Sequence, residues 1–416
     1  MKIPHFTPRS PPLTRPFPGD ILRETCSQKE VSFVKTTRRK ALPGALVLAL
    51  VLIIGLRLFA AAHPKTDTPE IQPEEYMEYE QAVVDQILTD SCEADPVAEN
   101  HSRGSQQLIL TVRTGRYAGQ QMLAENTVGP VYGNPARVGD RLIVGLSTYA
   151  DGTVRCHVYE YDRSGVLLAM LAVFFLVTVL VGGKVGAKSL VGLVLTVAAL
   201  IWILLPLLLR GWPTVPTAFL VAVLVSVASF VILGGVEKKT LCACFGTLAG
   251  IALSALFAII CQRLLRMDGY RQEYAEALLQ LRQTGESAIG ISGLLSAGVI
   301  ISALGAVMDV AMSISSAVEE LKRVSPELNS RQLMKSGMNI GRDMVGTMTN
   351  TLILAILGSG LTVSVYIYSL GLQPRQLISS AFMSLEAISA IASSIGVMLA
   401  VPLTAAVCAY AYGKER

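Results

Sequence analysis

The sequence predicts a polytopic α-helical membrane protein of about eight transmembrane helices, with a small extracytoplasmic β-rich domain. Three observations predict it. The chain is 52% hydrophobic and only 16% charged, with mean hydropathy +0.51, a balance that soluble domains rarely carry. Several uninterrupted apolar runs exceed the ~18 residues that a hydrocarbon core requires. Between two such runs lies a polar interval, residues 63–165, whose second half alternates β-branched and aromatic residues with turn residues.

Residues 1–41 are basic and proline-rich. Nine Lys and Arg fall in the first forty residues, and six prolines (Pro4, Pro8, Pro11, Pro12, Pro16 and Pro18) oppose a packed fold. A basic tail ahead of a first span favours a cytoplasmic amino terminus and contact with anionic lipid, rather than nucleic acid. Leu42–Ala62 lies too far from the amino terminus, and is too long, for a signal peptide, so it reads as an uncleaved first helix.

In residues 63–165, Tyr76, Tyr79, Val83 and Ile87 recur at helical spacing, which predicts a short amphipathic helix. From Gln107 onward, QLILTVRTG, RLIVGLS and TVRCHVYEY read as strands. Gly139-Asp140 precedes one of them, and Asp151-Gly152 forms a hairpin turn. A small barrel, of the OB kind, fits this pattern. Cys92 and Cys156 are the two cysteines of this interval and form a candidate disulfide.

Seven further spans follow in residues 166–412, near 166–182, 189–209, 214–234, 240–261, 290–311, 344–370 and 378–411. The segments placed inside carry eleven Lys and Arg, against six outside, which favours both termini in the cytoplasm and residues 63–165 outside. Residues 269–287 place Tyr274, Leu278 and Leu281 on one face of an interfacial helix. Residues 318–335, punctuated by Ser325-Pro326 and Asn329, predict a connector between short helices. Small residues at every fourth position (Gly182 and Gly186; Gly246 and Gly250; Gly298, Ser302 and Ala306) predict close helix contacts.

Polar residues inside apolar runs are the functional candidates. Asp309, Met312, Ser313 and Ser316 share one helical face, placed by the 290–311 span near its inner end. Asn339, Asp343, Thr347 and Asn350 share another, with Arg342 beside it. Two readings stand: the faces meet and line a path for a hard cation or proton, or Arg342 pairs with Asp309 and locks two helices. Asn350 suits interhelical hydrogen bonding. Glu386 is a deep carboxylate if the last helix starts near Leu377, and an interfacial cap if it starts at Glu386 itself. No metal-ligand spacing, catalytic signature or phosphate loop occurs around Cys242-x-Cys244 or Gly182-Gly183-Lys184, and no cofactor is implied. The reading is therefore not an enzyme. Its partners are the lipid bilayer and other membrane proteins or further copies of itself, with no nucleic acid.

The ordered series TGRYAG…VGDRLIV, VGGKVGAKSLVGL, LGGVEKKTLCACFGTLAG, SAGVIISALGAVMDVAMSISSAVEEL and SGMNIGRDMVGTMTNTLILA resembles the YibE/F-like family of bacterial membrane proteins. The resemblance covers residues 107–412 and is most specific around Asp309 and Asp343. It implies a multi-pass protein of the bacterial plasma membrane and assigns no site residues. The readings that follow are a permease-like protein for an ion or small solute, or a non-transporting scaffold whose external domain binds partners.

Overall fold

A computed structural model describes residues 76–149, 152–267, 269–271, 274–285 and 287–413. The basic tail and the expected first span, Leu42–Ala62, lie outside the described residues. The chain divides into two compact units, one running through Gly186 and one from Ala187 onward.

The first unit is a closed five-stranded barrel. Strand β1 (Tyr76–Asp90) is followed by the two-residue β2 (Glu93–Ala94), β3 (Ser102–Val112), β4 (Gln121–Val128), β5 (Arg141–Thr148) and β6 (Val154–Tyr161). Around the barrel the order is β1, β3, β4, β6, β5 and back to β1. All neighbours are antiparallel except β4 and β6. Strand β1 closes it: Tyr76–Val83 pair with β5 and Ala82–Asp90 pair with β3, with two register shifts that let the strand coil. The core is Ala82, Val84, Leu108, Leu110, Ala124, Leu142, Val144 and Leu146.

The helix expected from Tyr76 to Ile87 is therefore a strand. Ala82 and Val84 alternate into the core, and backbone pairing on both sides overrides the helical spacing. The three expected strands correspond to β3, β5 and β6, and Gly139 and Gly152 take the positive φ that their turns require (90° and 82°). The disulfide is also corrected: Cys92 and Cys156 are free thiols. Cys92 packs against Gly104, which pairs with Val128, whereas Cys156 pairs with Ala124. That is four residues further along β4, about 13 Å at 3.3 Å per residue, beyond the ~7 Å between Cα atoms that a disulfide spans. Burial pushes the Cys156 thiol up to about 12. Burial and the Asp90 carboxylate push Cys92 to about 11.

One end of the barrel is closed by the loop between β4 and β5. Gln106 is buried there: its Oε1 accepts from Ala136 N at 2.7 Å and from Asn126 Nδ2 at 3.0 Å, and its Nε2 donates to Asp90 at 2.9 Å. Full satisfaction is what lets an amide sit in this core. The donations from Gln106 and from Cys92 N hold the Asp90 carboxyl below the usual range.

Helix α1 (Ser164–Ala199) leaves the barrel and continues through a π turn at Leu200–Leu204, ahead of Pro206, to Leu209. It is broken at Gly183 (φ 54°, ψ −135°). A Cβ on Gly186 would lie 2.3 Å from the Thr178 carbonyl oxygen, atoms that a straight helix holds about 12 Å apart. The sequence places two separate spans on either side of this break.

The second unit is a helical bundle: α2 (Thr214–Gly234), α3 (Lys238–Leu264), the short α4 (Ala275–Gln283), α5 (Leu294–Val324), α6 (Ser330–Ser359), α7 (Leu361–Ser369), α8 (Pro374–Ile378) and α9 (Ala381–Gly413). Among the described residues, five helices are long and apolar enough to cross a membrane, or six if α6 and α7, bent by 60° at Gly360, form one span. Helices α5 and α6 run on into the expected connector, so only Ser325–Asn329 links them, with Asn329 and Gln332 forming a capping box.

Helices α3, α5 and α9 form the centre. On α3, Gly246 and Gly250 lie flat against α9: a Cβ on Gly250 would come within 2.9 Å of Ala400 and 3.1 Å of the Gly396 carbonyl oxygen. Ser254 Oγ donates to Ala392 O at 2.8 Å across the same seam. This pair of small residues is a packing device, as expected.

Candidate functional site

Helix α5 is 31 residues long and Asp309 is its central residue. The sequence placed Asp309 near the inner end of a span; the helix extends a further four turns past it, so the carboxylate sits about 22 Å from either end. Most of α5 is buried by its neighbours. One narrow stripe is not: Gly298, Ser302, Gly305, Asp309, Ser313, Ser316 and Glu320 are exposed, at spacings of three or four that keep them on one line. Among the described residues nothing lies within 4 Å of where a Cβ on Gly298 or Gly305 would be, while Ser302 Oγ, between them, meets Ser393 Oγ of α9 at 2.9 Å. Met312, grouped with Asp309 by its spacing, instead turns towards α2, with its Cε 2.9 Å from the Cβ position of Gly234.

Helix α6 docks through Leu333, Gly337 and Gly341, which fit against Val401 and Ala405 of α9 and Ile314 and Val318 of α5. Asn339, Arg342, Asp343, Thr347 and Asn350 are all exposed, on the opposite side of α6. They share one face, as their spacing requires, but that face turns away from Asp309 and Ser313. Among the described residues no ion pair joins Arg342 to Asp309. Glu386 is half-buried about 8 Å into α9, between the two depths expected for it, because Ser379 and Ser380 break the chain between α8 and α9. Its carboxyl carbon is 3.9 Å from the Cβ position of Gly360, at the bend between α6 and α7.

The family model for YibE/F-like proteins matches residues 170–414, more than half of the sequence and the whole helical bundle. The chain belongs to the YibE/F-like family. The match begins after β6, so the barrel lies outside it. Comparison with curated proteins finds no match, and comparison with solved structures finds none either.

Within this YibE/F-like bundle the charged cluster that does hold helices together involves other residues. Lys239 of α3 contacts Glu237 at 2.6 Å and Glu319 of α5 at 2.9 Å, and Tyr412 of α9 donates to the same Glu319 at 3.1 Å. Just inside it, Ser315 and Cys408 lie 3.3 Å apart. The three central helices are thus tied at one end by a single carboxylate. Sequence reasoning missed this cluster because its members are dispersed over residues 237–412. Lys239 reads as an interfacial charge, and Tyr412 as one aromatic at a span end. Only the proximity of α3, α5 and α9 brings them together.

Proposed function

We propose that this YibE/F-like chain is a permease-like protein of the bacterial plasma membrane that moves an ion or small solute along the stripe of α5. The observation that carries the reading is the position of Asp309. It lies at the centre of a long, mostly apolar helix, on its exposed line, flanked by Gly305, Ser302, Ser313 and Ser316 rather than by large apolar side chains. A line of glycines and hydroxyls around a central carboxylate suits a hydrated cation or a proton better than lipid tails. The bend between α6 and α7, with Glu386 beside it, adds a discontinuous helix of the kind that transporters use around a site. Lys238, Lys239, Lys322, Arg323, Arg331 and Lys335 lie towards one end of the bundle, against Arg210, Arg263, Arg266, Arg271 and Arg282 towards the other; this narrow bias supports a cytoplasmic location for the first end and for both termini.

The test is flux in proteoliposomes, read with a pH-sensitive dye and with radiolabelled sodium and rubidium. Asp309→Asn is expected to lower the flux at least tenfold at unchanged melting temperature. Unchanged flux in a folded variant removes Asp309 from the path, and absence of flux through the parent protein removes the permease reading.

A second reading, an assembly subunit, is favoured by one specific observation. The polar face of α6 lies away from its own bundle, and Asn339, Asp343, Gly346 and Asn350 follow it at spacings of four, three and four. That is the repeat of a helix–helix seam, and the adjacent Arg342 and Asp343 are self-complementary across a twofold axis. A second copy of this chain is the occupant this geometry favours. The barrel, whose strand order with β4 parallel to β6 is that of an OB-type fold, would give such an assembly an external binding face. Disulfide crosslinking of Gly346→Cys between copies, together with the absence of flux, would favour this reading over the first.

A further inference from the structure

A cavity of about 520 Å³ opens at the end of the bundle remote from Lys239, where α3 finishes and α5 begins. Its polar lining is Gln262, Arg263 and Arg266 from α3 and the turn after it, with Ser292, Gly293 and Ser296 from the entry to α5. Among the described residues no acidic side chain lines it. Three features of this lining favour negative charge. The amino end of α5 carries the positive end of a 31-residue helix dipole, and no side chain caps it. Two guanidinium groups flank it, each able to donate to a planar or tetrahedral oxyanion.

The third feature is independent of the helix end. Gln262 is buried, with 8% of its surface exposed. Its Oε1 accepts from Ser296 Oγ at 2.8 Å, which leaves Nε2 as a buried donor with no partner. A buried amide N–H without an acceptor costs about 1–3 kcal/mol, and an anion in the cavity would supply the acceptor.

The main chain supports the same assignment. Helix α3 ends with Met267 N donating to Gln262 O at 2.9 Å and Arg266 N donating to Arg263 O at 3.3 Å. This is a Schellman cap, so the last carbonyls of α3 are occupied by the protein and do not oppose an anion. The left-handed position of such a cap is ordinarily glycine; here it is Arg266, at φ 53°. The chain tolerates the left-handed penalty and keeps a guanidinium at the cavity.

We infer that this cavity binds a phosphoryl oxyanion, held by Arg263, Arg266, the Gln262 amide, the Ser292 hydroxyl and the amino end of α5. The same chemistry is offered by free phosphate and by the phosphodiester of an anionic lipid headgroup. The inference is independent of the permease reading, because it concerns the opposite end of the bundle from the Lys239 cluster and no residue of the α5 stripe.

The experiment uses the full chain in two arms. In phosphatidylcholine nanodiscs, inorganic phosphate is titrated and binding is read by calorimetry. In nanodiscs containing phosphatidylglycerol, lipid retention is read by native mass spectrometry. Saturable binding in the first arm identifies a soluble anion; binding in the second alone identifies a lipid headgroup. In the arm that binds, Arg263→Gln/Arg266→Gln is expected to weaken binding at least tenfold, whereas Arg331→Gln, an exposed cation on α6, leaves it unchanged. Arg266→Gly keeps the test sound if the double variant folds poorly. Glycine suits the left-handed turn, so this variant should melt at or above the parent temperature and still bind at least tenfold more weakly. Absence of saturable binding in both arms, or an Arg266→Gly variant that binds as tightly as the parent, overturns the assignment.

Discussion

Two faces rich in small residues behave in opposite ways in this bundle. On α3, Gly246 and Gly250 are pressed against α9, so closely that a Cβ on Gly246 would sit 1.9 Å from Thr404 Oγ1. On α5, Gly298 and Gly305 meet nothing within 4 Å. In sequence Gly246 and Gly250, like Gly298 and Ser302, are four apart, and both rows would be read as packing motifs. What separates them is the company they keep. The α3 face is followed by Ser254, whose hydroxyl finds the Ala392 carbonyl on the partner helix. The α5 face carries Asp309, to which no helix among the described residues offers a cation. Small residues allow close approach, but they also leave room, and a carboxylate amid them marks the face that stays open.

The largest expected effect comes from filling each face. Gly250→Leu would drive a side chain into the Gly396 carbonyl, which cannot withdraw without moving all of α9. Overpacking against backbone of this kind is expected to cost about 3 kcal/mol or more. Gly298→Leu and Gly305→Leu meet open space, and leucine is the better helix former by up to about 1 kcal/mol. Melting in detergent should therefore fall sharply for the first substitution and hold or rise for the other two. A destabilised Gly305→Leu would show that the α5 stripe is covered in the folded protein and would erase the contrast.

How far this contrast was legible in the sequence depends on which residues must meet. The apolar runs marked the helices, since each run reports on its own environment. The β-branched alternation likewise marked β3, β5 and β6. Strand β1 was misread because its register is set by two neighbours, β3 and β5, whose paired residues lie 16 to 72 positions away, while its local spacing of Tyr76, Tyr79, Val83 and Ile87 is helical. Asp309 and the polar face of α6 were visible as polar residues in apolar runs. Their orientations were not, because the direction of the α6 face is decided by where Gly337 and Gly341 dock. The Lys239–Glu319–Tyr412 cluster left no local trace at all.

That cluster supplies the next prediction, and it sharpens the comparison by giving a charge that does have partners. Lys239 and Glu319 are partly screened, with 18% and 32% of their side-chain surfaces exposed. Lys239→Met leaves Glu319 with only Tyr412 as donor and is expected to cost about 1–2 kcal/mol after discounting for solvent. Combining Lys239→Met with Glu319→Gln removes the stranded charge, and part of the loss should return. A double-mutant cycle on melting midpoints measures the coupling. Strictly additive losses would mean that the ion pair contributes nothing to holding α3 against α5.

Asp309→Asn should then give the smallest change in stability, and its smallness is informative. Asparagine is nearly isosteric with aspartate and occupies the same open line. Among the described residues the Asp309 side chain makes no hydrogen bond or ion pair, so the substitution strands no partner. Its effect on melting in detergent should stay within about 0.5 kcal/mol, the range of a surface exchange. A larger loss would place a cation or donor against Asp309 in the folded chain and make it a structural lock like Glu319. A negligible loss, alongside a tenfold fall in flux, would separate Asp309 from Glu319 by role: Glu319 ties three helices together, while Asp309 faces whatever passes along the stripe.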